Sequence, residues 1–315
     1  MLSVLVTGAS GYIGSRLTRR LVDAGFSVVA AVRSVSNVAF PIIGVRYVSV
    51  GDINSKTEWS LCLRGVSIVF HLAGRAHVVG GKAEGDDLHR ETNFLGTLNL
   101  AQQAAKEGVD RFIFLSTVGV LGQSSGHTVF DNATAPQPVG AYAKSKWNAE
   151  RALRELSSNS ELKVLSVRPP VVYGPSAPGN FGKLVKLVRL TPMLPLGSFN
   201  SIKSMIACDN LNEFLVHVAT LNRFYEGEVV VSDNSDWTIA ELVGLISNIT
   251  GTKCFNLPLP PDVVVHCGRL VFADEELRKL WMPTKVDASK TFELMNWTPV
   301  FAPARQLDTA VRSFC

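Results

Sequence analysis

A turn of glycines between a short apolar strand and a helical pattern is the feature that most constrains the fold of this chain. The strand pattern Ser3–Val6 runs into Thr7-Gly8-Ala9-Ser10-Gly11-Tyr12-Ile13-Gly14, and helical periodicity follows at once. Glycine lets a backbone turn tightly, approach a pyrophosphate and bring a helix close to a strand. The free N–H groups at the start of the helix then face the phosphate charge. Because it lies between a first strand and a first helix, this turn predicts a dinucleotide site.

The first half of the chain repeats one unit, in which a β-branched strand, a turn and a helical stretch follow one another. Strands are predicted at Ser3–Val6, Ser27–Val32, Val45–Val50, Ser67–His71, Arg111–Leu115 and Lys163–Val167. Helices are predicted at Tyr12–Ala24, Thr92–Lys106 and about Tyr142–Leu156. The strands are almost continuously hydrophobic, which is typical of parallel strands covered on both faces. The alternation predicts an α/β fold with a Rossmann-type doubly wound parallel sheet.

From Arg168 onward the composition changes, because prolines cluster and helical patterns are separated by short strands and loops. Further helices are predicted at Asn210–Leu221 and Ile239–Thr250. We therefore predict a dinucleotide-binding domain at residues 1–168. Residues 169–315 are predicted to form a smaller mixed, partly helical region, with some segments returning to the sheet. This region is expected to pack at the carboxyl edge of the sheet, where ligands of open α/β sheets bind.

Composition excludes several classes of protein. The 315 residues are 46% hydrophobic and 18% charged, as in ordinary globular proteins, and contain no apolar run of about eighteen residues. Without a secretory pattern at the N-terminus, a cytoplasmic location is expected. Five scattered cysteines without a C-x-x-C pair suggest neither a disulfide framework nor a metal site. The net charge of +4 is spread along the chain, so no nucleic-acid partner is predicted.

A Tyr-x-x-x-Lys pattern supplies candidate catalytic residues. Tyr142 and Lys146 are four residues apart on a predicted helix and so share one face. A free tyrosine, with a pKa of about 10, is a poor acid–base group at neutral pH. A nearby ammonium stabilises the phenolate, so Lys146 is expected to lower the pKa of Tyr142, and a decrease of about two or three units would bring the phenol into the useful range.

These motifs resemble the extended short-chain dehydrogenase/reductase family, also described as NAD-dependent epimerases/dehydratases, over essentially the whole chain. The glycine turn and the Tyr142/Lys146 pair carry the resemblance. Further matches are His71-Leu72-Ala73-Gly74, Asn93 and the run Arg168-Pro169-Pro170-Val171-Val172-Tyr173-Gly174. The resemblance also implies a catalytic hydroxyl at the end of the fifth strand. Thr117 precedes Tyr142 by the expected 25 positions (142 − 117) and is preferred over its neighbour Ser116.

By this resemblance a nicotinamide cofactor, NAD or NADP, is bound. The implied cofactor contacts are Gly8, Gly11, Tyr12, Ile13, Gly14, Arg33, Asp52, Ile53, Leu72, Ala73, Gly74, Asn93, Tyr142, Lys146, Pro169 and Val172. An acidic residue at the end of the second strand would bind the adenosine ribose, but this chain has Arg33 there. Arg33 either binds a 2′-phosphate, stacks on adenine or is simply exposed, so the choice between NAD and NADP stays open.

The family mostly acts on nucleotide-diphosphate sugars, so the resemblance implies that residues 169–315 bind a UDP-sugar. The implied substrate contacts are Arg75, His77, Thr117, Tyr142, Asn180, Lys203 and Arg269. Lys203 directly precedes a strand predicted at Ser204–Cys208. It stands where relatives commonly have arginine, which weakens the case for a bidentate diphosphate contact. Members of the family often form homodimers, although no apolar face in this sequence identifies an interface.

Three reactions compete. A 4,6-dehydratase places an Asp-Glu pair after the catalytic threonine, whereas Val118 and Gly119 follow here. A 4-epimerase usually has an acidic residue at the end of the second strand, and Arg33 weighs mildly against it. A 4-keto reductase needs only hydride delivery and a proton donor, so it fits every residue present.

The sequence also resembles bacterial reductases that convert UDP-2-acetamido-2,6-dideoxy-hexos-4-ulose to UDP-N-acetylquinovosamine for surface polysaccharide. The runs His71-Leu72-Ala73-Gly74-Arg75-Ala76-His77-Val78 and Val286-Asp287-Ala288-Ser289-Lys290 carry this likeness. This reductase is the predicted function, and a UDP-GlcNAc or UDP-Glc 4-epimerase is the alternative. A non-catalytic, cofactor-sensing regulator is a distant third, because such proteins typically lose the tyrosine or the lysine.

Overall fold

The computed structural model describes residues 2–38, 40–76, 82–260, 263–264 and 282–315. Its main element is a sheet of seven parallel strands in the order β10-β6-β5-β4-β1-β2-β3. The strands are β1 (Ser3–Thr7), β2 (Ser27–Val32), β3 (Val45–Ser49), β4 (Ile68–His71), β5 (Arg111–Leu115), β6 (Lys163–Arg168) and β10 (Gly227–Val230). This arrangement confirms the predicted α/β fold with a doubly wound parallel sheet. The strand order reverses between β1 and β4, which is where ligands of such sheets bind.

Helices cover both faces of the sheet. The helices of the described residues are α1 (Tyr12–Asp23), α2 (Ser60–Leu63), α3 (Lys82–His89), α4 (Gly96–Lys106), α5 (Gly140–Ser158), α6 (Asn180–Leu190), α7 (Cys208–Thr220), α8 (Ile239–Thr250), α9 (Ser289–Met295) and α10 (Pro303–Arg312). Alternate residues of β1 point to opposite faces, as strand geometry requires. Val4 and Val6 pack with apolar residues of α1 and α7, whereas Leu5 packs with those of α2, α4 and α5. The sheet is therefore buried between two apolar layers.

The helix predicted at Thr92–Lys106 differs in its first turns. Residues Arg90–Leu95 form a π-helical segment that joins α3 to α4. Such segments are rare and are often found at functional sites, because the wider turn redirects side chains. Sequence periodicity does not reveal the wider turn, since the apolar pattern continues through it. Asn93, a predicted site residue, lies within this segment.

The second part of the chain forms two small sheets beside the carboxyl edge of the main one. Strands β7 (Val171–Tyr173), β9 (Ile202–Ala207) and β11 (Asp236–Thr238) form one, and β8 (Met193–Leu194) and β12 (Phe255–Asn256) form the other. A third apolar cluster packs them against α6, α8 and α10. Strands from both sides of the predicted boundary at residue 168 build the main sheet, because β10 pairs with β6.

A buried carboxylate ties the parts of this second region together. Asp233 accepts hydrogen bonds from the hydroxyl of Tyr173, the amide of Asn210 and the backbone N–H of Ala207, at 2.8, 2.8 and 2.9 Å. Burial raises the pKa of Asp233. The Asn210 amide also donates to the carbonyl of Phe301 at 2.9 Å, which joins α7 to the segment before α10. Nothing in the sequence pattern identified this network.

Within the described ranges, no helix has both the length and the apolar sequence needed to cross a bilayer.

The packing of α4 on the sheet predicts a large difference between two neighbouring substitutions. Leu100 is fully buried in the layer shared with α5 and the sheet, whereas Gln102 on the same helix is exposed. Leu100→Ala should lower the free energy of unfolding by about 2–5 kcal/mol, because a cavity replaces buried side-chain contacts. Gln102→Ala should change it by no more than about 0.5 kcal/mol. Denaturant unfolding of both variants measures the difference, and equal losses would contradict the described packing.

Candidate active site

The glycine turn closes tightly because its glycines have no side chains. Gly8 has a φ of +68°, in the left-handed region that favours glycine, and the N–H of Gly11 donates to its carbonyl at 2.8 Å. A Cβ added at Gly14 would lie 2.2 Å from the Gly8 carbonyl oxygen. A Cβ added at Gly8 would lie 2.8 Å from the backbone nitrogen of Ala73. A larger residue at either position would push the turn away from the helix or from the loop after β4.

The turn fits the pyrophosphate of a dinucleotide. Helix α1 begins directly after Gly11, and no side chain caps its first turn. The N–H groups of that turn, together with the helix dipole, therefore favour an anion at this end. The backbone can be approached closely, because Gly8 and Gly11 present no side chain. These residues fit a nicotinamide dinucleotide as the sequence analysis expected.

A cavity of about 360 Å³ extends from the turn along the ends of β2 and β3. Seven of the predicted cofactor residues line it, namely Gly8, Gly11, Arg33, Asp52, Ile53, Ala73 and Gly74. The remaining lining residues were not predicted as cofactor contacts: Ser10, Ala31, Val32, Ser34, Asn37, Val50, Gly51, Arg75 and Thr92. Most of these flank predicted positions at strand ends, so a wider window around each strand end would have identified them. The cavity is large enough for part of a dinucleotide.

The side chains of four predicted cofactor residues pack into apolar clusters and do not line this cavity. The Tyr12 ring packs into the third apolar cluster, and a Cβ at Gly174 would lie 2.6 Å from its hydroxyl. The side chains of Ile13, Leu72 and Val172 pack against the apolar layer beneath α1 and α7. Any contact of these residues with a cofactor is therefore expected to come mainly from the backbone.

The end of the cavity near β2 and β3 carries a cluster of three charges. The Nε of Arg33 lies 2.9 Å from Oδ1 of Asp52, and Nη2 of Arg75 lies 3.3 Å from the same oxygen. The Nε of Arg75 also donates to the Thr92 hydroxyl at 3.2 Å. The Arg75 guanidinium, predicted to face the sugar, thus lies against Asp52, a contact that the sequence could not show because the two residues are 23 positions apart.

The loop after β4 touches both the glycine turn and the catalytic helix. Its backbone passes Gly8 at Ala73, and a Cβ added at Gly74 would lie 3.1 Å from Nζ of Lys146. His71, at the end of β4, exchanges hydrogen bonds with the hydroxyls of Thr7 and Thr97, at 2.7 and 2.8 Å. Burial, and then the charge of Lys146, lower the pKa of His71 to about 3, so its ring is neutral. The loop thus brings the predicted cofactor turn and Lys146 to one place.

Lys146 is buried and held at the end of β5. Its Nζ donates to the Leu115 carbonyl at 2.9 Å and lies 4.5 Å from the centroid of the Phe114 ring. Burial lowers the pKa of Lys146 to about 8, and the charge of Glu150 opposes this shift. The ammonium is therefore paired mainly with a carbonyl and an aromatic face, both of which lie on β5.

Tyr142 lies on the same face of α5, one turn before Lys146, as predicted. Its ring makes an edge contact with His89 at 5.9 Å between centroids. Burial raises the pKa of Tyr142 to about 12. This differs from the expectation that Lys146 lowers it, because desolvation of the phenolate dominates. At neutral pH the phenol is therefore protonated in this structure.

The two hydroxyls at the end of β5 differ in their partners. The Thr117 hydroxyl caps a short 3₁₀ turn by accepting from the N–H of Gly119 at 3.1 Å, and its own O–H is left to donate. The Ser116 hydroxyl is buried and has no partner among the described residues. Thr117 is half-buried, and it is the more accessible of the two.

Asn93, in the π-helical segment, makes hydrogen bonds to two neighbouring parts of the candidate site. Its Oδ1 accepts from the N–H of Arg75 at 2.7 Å, and its Nδ2 donates to the Arg75 carbonyl at 2.9 Å. The same Nδ2 donates to the Ser145 hydroxyl at 3.1 Å. Asn93 therefore fixes the loop after β4 against α5, next to Lys146, and supports the site through this bracing.

The predicted substrate residues are less completely placed. Asn180 is exposed at the start of α6, after Gly179, which has a φ of +82°. Lys203 lies on β9, where its Nζ donates to the Met282 carbonyl, and burial lowers its pKa to about 8. The predicted strand Ser204–Cys208 thus starts two residues earlier and includes Lys203. His77 and Arg269 lie outside the described residues.

Pro169 lies beside the end of β5, since its carbonyl accepts from the N–H of Val118 at 3.0 Å.

Among the described residues no three His, Cys, Asp or Glu side chains converge as metal ligands.

Two groups near Tyr142 and Lys146 were not predicted from the sequence. His89 contacts Tyr142 from the end of α3, and no motif marked it. Glu150 and Arg168 form a buried ion pair, with Nη2 of Arg168 2.7 Å from Oε2 of Glu150. The spacing of four residues from Lys146 to Glu150 was a signal for the second group, since it places Glu150 on the same helix face.

The chain is similar to known proteins over most of its length. A model of the NAD dependent epimerase/dehydratase family matches residues 4–192. A UDP-glucose 4-epimerase of Vibrio cholerae is 34% identical over 305 residues, which cover 94% of this chain and 90% of that protein. An N-acetyl-alpha-D-glucosaminyl-diphospho-ditrans,octacis-undecaprenol 4-epimerase of Escherichia coli O157:H7 is 28% identical over 82% of this chain and 75% of its own length.

Among solved structures, the UDP-glucuronic acid 4-epimerase of Bacillus cereus in complex with NAD is similar with a TM-score of 0.79 and 20% identity. The match covers 99% of this chain and 98% of that one. At this identity the likeness shows the fold.

The close approach at Gly14 predicts loss of dinucleotide binding when a side chain is added. Gly14→Ala places a methyl group against the Gly8 carbonyl, so the turn must open. NAD affinity, measured by calorimetry, should fall at least about tenfold, since a lost charge-assisted hydrogen bond alone is worth about 1.5–3 kcal/mol. Gly244→Ala is the matched control, because a Cβ there meets nothing within 4 Å. Equal affinities in the two variants would contradict the assignment of the turn.

Proposed function

Because the chain belongs to the NAD dependent epimerase/dehydratase family, we propose that it oxidises and reduces C4 of the hexose in a UDP-sugar and so interconverts two 4-epimers. The convergence of three elements carries the proposal: the loop Leu72–Gly74 contacts the glycine turn at Ala73 and approaches Lys146 at Gly74. The relative that is 34% identical over nearly all of both chains, a UDP-glucose 4-epimerase, supports epimerisation as the net outcome.

The residues that would hold the cofactor are those of the glycine turn, the cavity beside it and Lys146. When bound, NAD supplies an acceptor and donor for hydride at C4. Tyr142 is the group that moves the proton of the C4 oxygen: it takes that proton as the sugar is oxidised and returns it as the sugar is reduced. Thr117 donates a hydrogen bond to the same oxygen through the O–H that its backbone contact leaves free.

Lys146 has two roles in this account. Its ammonium, one helical turn from Tyr142 on α5, favours the phenolate electrostatically, because a positive charge lowers the pKa of an acid near it. Its hydrogen bond to the Leu115 carbonyl fixes the ammonium next to the loop after β4.

A second candidate is net reduction of a UDP-4-keto-sugar, such as UDP-2-acetamido-2,6-dideoxy-hexos-4-ulose to UDP-N-acetylquinovosamine. Two observations favour it. Tyr142 is held as a neutral phenol, the form that donates a proton to a carbonyl oxygen. In addition, Arg33 rather than an acid ends β2, and an enzyme that exchanges its cofactor has less need of a tight ribose contact. Both candidates use the same residues at C4 and differ in whether the cofactor is retained.

One experiment separates them. The purified chain is incubated with UDP-glucose and UDP-GlcNAc without added cofactor, and with a UDP-4-keto-sugar plus NADH or NADPH. Epimerisation predicts formation of the C4 epimer with no net change in nicotinamide absorbance. Reduction predicts stoichiometric oxidation of the added cofactor and no epimer. Turnover of none of these sugars would overturn the proposal of C4 chemistry on UDP-hexoses.

Tyr142→Phe should lower kcat by about 10²–10⁴-fold, the usual contribution of a general acid–base group. Cofactor affinity should stay within a few-fold, because the ring and its packing remain. Tyr225→Phe is the control, since Tyr225 packs on the apolar layer beneath α7, away from Lys146. Steady-state kinetics and calorimetry measure the two effects. Retained activity in Tyr142→Phe would remove the tyrosine from the mechanism.

Arg33 is expected to favour a 2′-phosphate on the cofactor. Removing its charge should lower the affinity for NADP⁺ relative to NAD⁺ by about tenfold, the value of one charge-assisted hydrogen bond. Arg33→Gln is compared by calorimetry with Arg46→Gln, an exposed arginine on β3 that donates to the Leu61 carbonyl. An unchanged ratio in Arg33→Gln would show that Arg33 is only a solvated side chain paired with Asp52.

A further inference from the structure

A fully buried ion pair lies one helical turn beyond the catalytic lysine. The guanidinium of Arg168 meets the carboxylate of Glu150 in a two-pronged contact: Nε lies 3.0 Å from Oε1 and Nη2 lies 2.7 Å from Oε2. The side chains are 3% and 0% exposed. Such a contact is geometrically specific, because the planar guanidinium matches the carboxylate.

Stability alone is a weak reason for this pair. Removing two charges from water costs several kcal/mol per ion, and well-packed apolar side chains of similar volume often give an equal or more stable protein. Other ion pairs of the chain, such as Arg154 with Glu228 one turn further along α5, are partly exposed and avoid most of that cost. The burial of Glu150 therefore points to a role in what surrounds it.

The groups around Glu150 belong to the proposed catalytic site. Tyr142, Lys146 and Glu150 follow one another at intervals of four residues, so they share one face of α5. Arg168 ends β6, and its neighbour Val167 pairs with Leu115, whose carbonyl holds the Lys146 ammonium. The Pro169 carbonyl bonds the N–H of Val118, just after Thr117. The ion pair thus lies between α5 and the strand ends that carry the catalytic groups.

Among the described residues, the charged and titratable groups around Lys146 leave Glu150 as its counter-charge. On α5 these are Tyr142, neutral because burial raises its pKa, and Glu150 itself. From β4 comes His71, neutral because its pKa is about 3. Arg168 on β6 is paired with Glu150, and His89 on α3 contacts Tyr142. Phe114 and the Leu115 carbonyl from β5, Asn93 from the π-helical segment and Thr117 after β5 are uncharged.

We propose that Glu150, fixed by Arg168, is a positioning residue that keeps Lys146 cationic beside Tyr142. Burial opposes the ammonium, and the carboxylate one turn away offsets that cost. Arg168 holds the carboxylate in one geometry, so that Glu150 acts on Lys146 through its field and not by a direct proton transfer. The importance of this charge for catalysis rests on the proposed function, whereas the charge state of Lys146 is measured without substrate.

The test is the titration of Lys146 in the full chain, followed by NMR with lysine labelled with ¹³C at Cε and assigned with Lys146→Arg. Glu150→Gln should lower the Lys146 midpoint by about one pH unit or more, because an adjacent opposite charge is worth about 1–3 units. The alkaline limb of the pH–kcat profile should move down by the same amount. Glu228→Gln, which breaks the exposed pair on the same helix, should move neither.

A second variant separates charge from folding. Glu150→Met combined with Arg168→Met replaces the pair by apolar side chains and should stay folded, as judged by thermal unfolding. Its Lys146 midpoint should also fall. An unchanged midpoint in a folded variant, or loss of folding in both variants, would overturn the proposal and leave the pair a purely structural feature. A shifted midpoint in a chain that turns over no UDP-sugar would instead refute the proposed function alone.

Discussion

The structure depends on one close approach of backbone to backbone at the carboxyl edge of the sheet. The loop after β4 passes so near to Gly8 that a single added carbon would meet the Ala73 nitrogen at 2.8 Å, and one at Gly74 would meet Lys146 at 3.1 Å. The glycine turn lies where the strand order reverses, and Tyr142 and Lys146 lie on α5. The loop after β4 comes close to both. Without glycine at these positions the cofactor turn and the lysine would be held apart by side chains.

Burial decides the electrostatics of the site. Desolvation lowers the pKa of Lys146 to about 8 and that of His71 to about 3, and it raises that of Tyr142 to about 12. All three groups are thereby pushed toward their neutral forms. An enzyme that uses a phenolate and an ammonium must offset this, and the carboxylate of Glu150 does so at Lys146. Proton transfer at C4 then depends on a balance between burial and a few fixed charges.

Much of the fold follows from the sequence, because the strands are continuous apolar runs and the turns are marked by glycine. The parallel sheet was predicted from these patterns, and the bounds of β2 and β5 agree with the predictions to the residue. The π-helical segment at Arg90–Leu95 was not predicted, since hydrophobic periodicity is the same through a wider turn. Strand β9 begins two residues before its predicted start, because Lys203, a charged residue, interrupts the apolar pattern there.

The candidate site was predictable where local motifs carry it and not where distant residues meet. The glycine turn, Tyr142 and Lys146 are recognised within eight or fewer residues each. The turn of Arg75 toward Asp52, and the pairing of Glu150 with Arg168, join segments that only the folded chain brings together. The direction of the Tyr142 pKa shift was wrong for the same reason, because the degree of burial around a side chain is a property of the whole fold.

The central claim is that a nicotinamide ring lies between the glycine turn and the phenol of Tyr142. A crystal structure of the chain with NAD and UDP tests it most directly. The account predicts the pyrophosphate at the start of α1, the nicotinamide ribose within hydrogen-bonding reach of Tyr142 and Lys146, and the ring beside Thr117. A nicotinamide bound away from Tyr142, or no dinucleotide in the turn at saturating NAD, would contradict it.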